Sequence, residues 1–153
     1  MKKNIILLVI ALPLIFSECR AENRGGPVSA ATSDNAVMQL TGENFKKLIF
    51  NYDASKEWKY EGTKPAIIDF YANWCGPCRQ LSPLVEEVAK EYAGKINVYR
   101  VDTDKEQLLA QKLGITSLPT LLFIPAKGMP QVTVGALPKE DLKKAVNEIL
   151  LVK

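Results

Sequence analysis

The stretch from Ala66 to Tyr92 constrains the fold more than any other part of the chain. It opens with AIIDFY (66–71), rich in β-branched and aromatic residues and of strand length. Apolar neighbours on either side of Asp69 predict a strand covered on both faces. After a short junction, Leu81, Leu84, Val85, Val88 and Tyr92 recur at three- and four-residue spacing, which predicts an amphipathic helix over 76–92. Pro83 falls inside that helix and is expected to kink it. The junction carries the string WCGPC (74–78), so two cysteines stand between a buried strand and the first turn of a helix.

The remaining elements follow the same alternation. AVMQL (36–40) is a short apolar run, and Thr41 with Asn44 ahead of Phe45 marks a helix start. INVYRVD (96–102) reads as a second long strand, and Leu109 and Leu113 with Gly114 directly after them mark a short helix and its stop. TLLFI (120–124) and QVTVG (131–135) flank the turn-rich PAKGMP, a connection of hairpin length. Pro138 stands at an expected first helical position before Leu142, Ala145, Val146 and Ile149, which form one apolar face. Residues 51–65 have no clear period and are expected to be a loop or loop-helix excursion. The resulting order, β-α-β-α-β-α-β-β-α, predicts an α/β fold with a mixed central sheet covered by helices on both faces.

Ahead of this region, Lys2 and Lys3 precede the apolar run Ile5–Phe16, which is followed by the small and polar Ser17-Glu18-Cys19-Arg20-Ala21. That order predicts a secretory signal peptide over 1–21, cleaved after Ala21. The apolar run is shorter than the ~20 residues of a spanning helix and contains Pro13. Cys19 leaves open an alternative, a lipoprotein anchored through that residue, although Glu18 departs from the small residue such signals place before the cysteine. Residues 22–35, rich in Gly, Ser and Asn, are expected to be a flexible linker. Loss of Lys2, Lys3, Arg20 and Glu18 takes the chain's 20 basic and 17 acidic residues to 17 and 16. That near-neutral balance, with no long basic run, gives nucleic acid no electrostatic footprint.

Three readings of Cys75 and Cys78 compete. A metal site needs about four ligands, and this chain has one such pair and no histidine. A structural staple between residues three apart closes almost no loop, so it constrains the unfolded chain little. A redox couple suits the position: unpaired N–H groups and the dipole at a helix start favour a thiolate at Cys75, and Cys78 lies one turn further in. Gly76 allows tight passage and access, and Pro77 presets φ in the first turn without leaving a donor unused.

The segment DFYANWCGPCRQLSP resembles the active-site segment of the thioredoxin family of dithiol-disulfide oxidoreductases. SLPTLLF resembles that family's cis-proline loop, and VGALPKEDL its last strand-to-helix junction, so the resemblance spans 36–152. It implies a thioredoxin domain over 36–153, a thioredoxin fold with a central mixed five-stranded sheet, and catalysis by Cys75 and Cys78. It also implies that Asp69 is buried behind the pair and assists proton transfer at the second thiol, with burial raising its pKa. Arg100 stands where the family commonly has a lysine; a guanidinium would hold Asp69 ionised more firmly, or would extend to solvent from a strand end. Pro119 is expected to follow a cis bond, leaving the Leu118 backbone beside Cys75 for an extended client strand. Trp74, Ser117, Leu118, Pro119 and Gly135, the last giving close backbone approach, would form the client-binding rim. Tyr71 replaces a tryptophan common in the family.

The resemblance, taken with the expected signal peptide, therefore implies reduction of disulfides in exported partner proteins, in a periplasmic or other extracytoplasmic compartment. No cofactor is expected beyond the redox-active Cys75–Cys78 disulfide, and no metal. An upstream, membrane-linked electron donor would return the pair to the dithiol, and a membrane would be a partner only through a lipidated Cys19. Two alternatives stay open: a disulfide oxidase or isomerase of exported-protein folding, and a non-catalytic binding module using the same rim.

Overall fold

The computed structural model describes residues 36–151. The expected signal peptide (1–21), the linker (22–35) and Cys19 lie outside the described residues. Within them, strand β2 (Ala66–Tyr71) is the structural axis, because every residue from Ala66 to Phe70 is buried. It pairs in parallel with β3 (Asn97–Asp102) on one side and antiparallel with β4 (Thr120–Ile124) on the other. β1 (Met38–Gln39) joins the outer side of β3 in parallel, and β5 (Gln131–Val134) joins β4 antiparallel. Among the described residues the sheet thus has five strands in the order β1-β3-β2-β4-β5. The buried central strands are nearly continuous in apolar residues, whereas the edge strand β5 leaves Val132 and Val134 largely exposed.

Alternation along β2 sends its side chains into two separate cores. Ile67 meets Leu81, Val85 and Val88 of α2 (Gly76–Glu91) and Leu142 and Val146 of α4 (Lys139–Ile149). Ile68 and Phe70 meet Phe45 of α1 (Gly42–Leu48) and Leu109 of α3 (Gln107–Lys112) on the opposite face. Asp69 shares the parity of Ile67 and so belongs to the α2 face. On β3, Val98 lies in the α2 core while Tyr99 and Val101 lie in the other, which places Arg100 on the α2 face as well. The register pairs Asp69 with Arg100 across the two strands.

Local signals act where the sequence places them, with three adjustments. The Thr41 side chain caps α1 by accepting from Asn44 N–H at 3.3 Å. β1 is confined to Met38–Gln39 rather than the whole of 36–40, and Pro138 is the residue before α4 rather than its first helical residue. Pro138 has an extended ψ of 153°, and acidic Glu140 and Asp141 occupy the first turn beside the unpaired N–H groups. α2 continues through Pro83. Residues 51–65 form a loop that folds onto the α1/α3 core: its Tyr52, Trp58 and Tyr60, with Phe50 just before it, pack against that core, the Phe50 and Trp58 rings 4.9 Å apart. Glu61 N–H donates to the Ile49 carbonyl and fixes the far end of that loop.

Candidate active site

Cys75 stands immediately before the first turn of α2, with extended backbone (φ −76°, ψ 108°). Its Sγ accepts the Cys78 N–H at 3.2 Å, one of the donors that a helix start leaves unpaired. Cys75 and Cys78 are joined as a disulfide, S–S 2.05 Å and Cα–Cα 5.3 Å. When the bond is open, the same N–H and the dipole of a four-turn helix stabilise negative charge on Cys75 relative to the thiol. In the disulfide both cysteines are buried, Cys75 at 4% and Cys78 at 2% exposure. The asymmetry between them therefore comes from the hydrogen bond and the position at the helix start, not from a difference in exposure.

The two residues between the cysteines divide the work. Pro77 lies in the first turn, where a missing N–H removes no helical bond. Gly76 does not occupy the tight passage expected of it: a Cβ there would meet only the Arg79 guanidinium, at an ordinary 3.9 Å. The glycine instead leaves the turn beside Cys75 bare.

Three segments distant in sequence converge on the pair. Leu118 and Tyr71 pack against the cluster of Ala72, Cys75 and Cys78. The Leu118–Pro119 bond is cis, Pro119 is buried, Leu118 half-buried and Ser117 exposed. Thr120 Oγ1 donates to the Ser117 carbonyl at 2.7 Å, and Gly135 N–H donates to the Pro119 carbonyl at 2.8 Å, tying the end of β5 to the proline loop. Gly135 is needed for its backbone: φ is +98°, and a Cβ would meet no protein atom within 4 Å. Trp74 is 70% exposed, with Nε1 donating to Asp104 Oδ1 at 3.2 Å, so a large apolar surface is held in place beside the disulfide.

Behind the pair, Asp69 is fully buried. Arg100 Nε donates to its Oδ2 at 3.0 Å, while Oδ1 is buried with no hydrogen-bond partner among the described residues. Burial dominates its titration: loss of hydration pushes the carboxyl up to about 6, against the charge and hydrogen bond of Arg100, which pull it down. The guanidinium therefore does not hold Asp69 in the ordinary carboxylate range, as its chemistry alone suggested. Nor does Arg100 extend to solvent. Its Nη2 donates to Ser82 Oγ at 2.6 Å, and its guanidinium carbon lies 4.0 Å from the centre of the Tyr71 ring. Ser82 in turn donates to the Cys78 carbonyl at 2.9 Å.

Sequence reasoning missed Ser82, Asp104 and the Tyr71–Arg100 stack. Ser82 had a signal, since a serine four residues after Cys78 in a helix reaches that carbonyl. The other two are contacts between segments distant in sequence and had none. Among the described residues, no three Cys, Asp or Glu side chains converge as a metal-binding group.

The geometry has counterparts in known proteins. A family model described as thioredoxin matches residues 36–148. The chain is 49% identical over 112 residues to a thioredoxin of Borreliella burgdorferi, covering 73% of this chain and 96% of that one. It is 44% identical over 143 residues to an M-type chloroplastic thioredoxin of Pisum sativum, covering 90% and 83%. The crystal structure of chloroplastic thioredoxin z is similar at a TM-score of 0.64 and 32% identity, over 76% of this chain and 96% of that one. A disulfide-capable pair at the head of a helix, in a match that runs through every strand and helix described above, leaves one assignment: the chain belongs to the thioredoxin family and is a thioredoxin-type disulfide oxidoreductase.

Proposed function

We propose that the chain reduces disulfides of exported partner proteins. The observation that carries this reading is the Cys75–Cys78 pair at the start of α2, with the Cys78 N–H directed at the Cys75 sulfur. In the dithiol form, the Cys75 thiolate attacks one sulfur of a client disulfide, and the other client sulfur leaves as a thiolate that takes a proton from water. Cys78 then loses its proton to Asp69 and attacks Cys75 Sγ, which breaks the mixed disulfide and releases the second client thiol. The protein ends oxidised by two electrons and the client reduced by two. The pair returns to the dithiol by exchange with an upstream dithiol donor, which for an exported protein would be membrane-linked.

Each side chain has a part in this cycle. Trp74, Ser117, Leu118, Pro119 and Gly135 form the rim against which a client strand lies, with the Leu118 backbone offering strand pairing. Asp69, fully buried and with its carboxyl pushed up to about 6, becomes a proton acceptor near neutral pH. The charged, apolar and small-residue order of positions 1–21 supports export, and Cys19 would hold the chain at a membrane surface if lipidated. The Gly76-Pro77 dipeptide supports the reducing direction.

A Cys78→Ser variant tests the proposal in cells. It is expected to accumulate mixed disulfides through Cys75, and the captured clients are expected to be exported proteins. Capture of intracellular proteins alone would remove the export reading. A strongly oxidising equilibrium of the wild-type pair against glutathione would remove the reducing direction.

A further inference from the structure

One edge of a guanidinium presents two N–H groups, those of Nε and Nη2, that match the two oxygens of a carboxylate in a bidentate fork. Arg100 divides that edge between two partners. Nε takes Asp69 Oδ2 at 3.0 Å, and Nη2 takes Ser82 Oγ at 2.6 Å. The serine cannot turn away freely, because its own proton is committed to the Cys78 carbonyl at 2.9 Å. The Tyr71 ring, 4.0 Å from the guanidinium carbon, resists rotation of the plane, and Gln39 Nε2 donates to the Tyr71 hydroxyl at 3.2 Å. The consequence falls on Asp69: Oδ1 stays buried without a hydrogen bond, although the same residue lies beside a donor-rich cation. A buried carboxylate oxygen left in that state is costly, and here the cost has an evident cause in the diversion of Nη2.

We propose that Ser82 is a positioning residue for the exchange reaction: by holding Nη2 of Arg100 it prevents the bidentate fork and keeps Asp69 Oδ1 open to receive the proton of Cys78. This rests on the reading of Asp69 as the proton acceptor for the second thiol. In that step the Cys78 S–H bond breaks toward Oδ1, the Cys78–Cys75 bond forms, and the Cys75–client bond breaks with its electron pair on the client sulfur. A forked Asp69 would be a weaker base, because both oxygens would already accept charge-assisted hydrogen bonds. The groups that face Asp69 are few. β3 supplies Arg100, β4 supplies the apolar Leu121 opposite it, and α2 supplies Ser82 with Cys78 one turn earlier. On α4, Lys139 and Lys143 are paired with Glu87 and Glu91 of α2.

The test is titration of the Asp69 carboxyl by carbon-detected NMR in the full oxidised chain, with the single-turnover rate of mixed-disulfide resolution followed against pH. Ser82→Ala is expected to lower the Asp69 midpoint by about 1 pH unit, the size of one added charge-assisted hydrogen bond, and to slow resolution without slowing the attack by Cys75. Ser82→Thr, which keeps the hydroxyl, is expected to restore both. A midpoint in Ser82→Ala equal to wild type would overturn the positioning role, whatever the rates. An Asp69→Asn variant whose resolution rate keeps the wild-type pH profile would instead remove Asp69 as proton acceptor, and the role of Ser82 in catalysis with it. The NMR midpoint in Ser82→Ala separates these two failures, since it reports the Arg100 geometry without reference to turnover.

Discussion

Asp69 is the residue at which stability and the proposed chemistry oppose each other. Its carboxyl ordinarily titrates near 3.8 and in the folded protein near 6, so between those values the folded state binds more protons than the unfolded chain. The stability associated with the protonated form is therefore full below about 3.8 and is lost as pH rises through about 6, roughly 3 kcal/mol in all. Asp69→Asn removes this dependence. Urea unfolding of the oxidised proteins is expected to show the variant gaining about 3 kcal/mol on wild type between pH 3.5 and pH 7.5. A constant difference across that range would show that burial does not perturb this carboxyl. Asp69 was legible in the sequence because its neighbours are uniformly apolar. Ser82 was not singled out, because a serine on an amphipathic helix is ordinary until its partners are known.

At the level of elements, the loop over 51–65 departs most from what periodicity conveys. It has no repeat of apolar residues, yet Trp58 and Tyr60 lie half-buried against the α1/α3 core, and Tyr60 Oη donates to the Lys64 carbonyl at 2.6 Å. Loss of hydration, with a smaller contribution from Tyr99, pushes the Tyr60 phenol up to about 12. Gly62 leaves room for that ring, since a Cβ there would run into Tyr60. The loop thus covers one face of the sheet, on the side away from α2. Trp58→Ala is expected to lower stability by about 1–3 kcal/mol while leaving the rate of disulfide exchange within about twofold of wild type, measured by denaturant unfolding and by turnover of a small disulfide. A large loss of turnover with unchanged stability would place the loop in the client site instead.

For the whole molecule, the site exists only because the topology returns three times to the same end of the sheet. β2 delivers Asp69 and the head of α2, β3 delivers Arg100, and the turn into β4 delivers Leu118 and Pro119, with Gly135 bonded to that turn. Trp74 and Leu118 flank the disulfide from different segments, and under the proposed function a large client would meet both, whereas a small disulfide would need only the sulfurs. Leu118→Asp is therefore expected to reduce kcat/KM for a protein disulfide about tenfold and to change that for a small aromatic disulfide much less. Equal losses on both substrates would mean that the substitution disturbs the cysteine pair itself.

What the sequence determined by itself is whatever depends on neighbours along the chain. Runs of β-branched and aromatic residues, apolar periods of three to four residues, the Thr41 cap, the glycines after α3 and β5, and the cysteine spacing are local. Each produced its element or junction within a residue or two, and together they made the mixed five-stranded sheet legible. Contacts between segments distant in sequence set the rest: that Arg100 divides its N–H groups between Asp69 and Ser82, that Tyr71 stacks on it, and that Asp104 tethers Trp74. The resemblance to the thioredoxin family placed Asp69 and Arg100 as partners, and side-chain chemistry gave the wrong balance between them. The electrostatic pull of a guanidinium was visible in the residue type, whereas the loss of hydration that outweighs it depends on burial, which no single residue encodes.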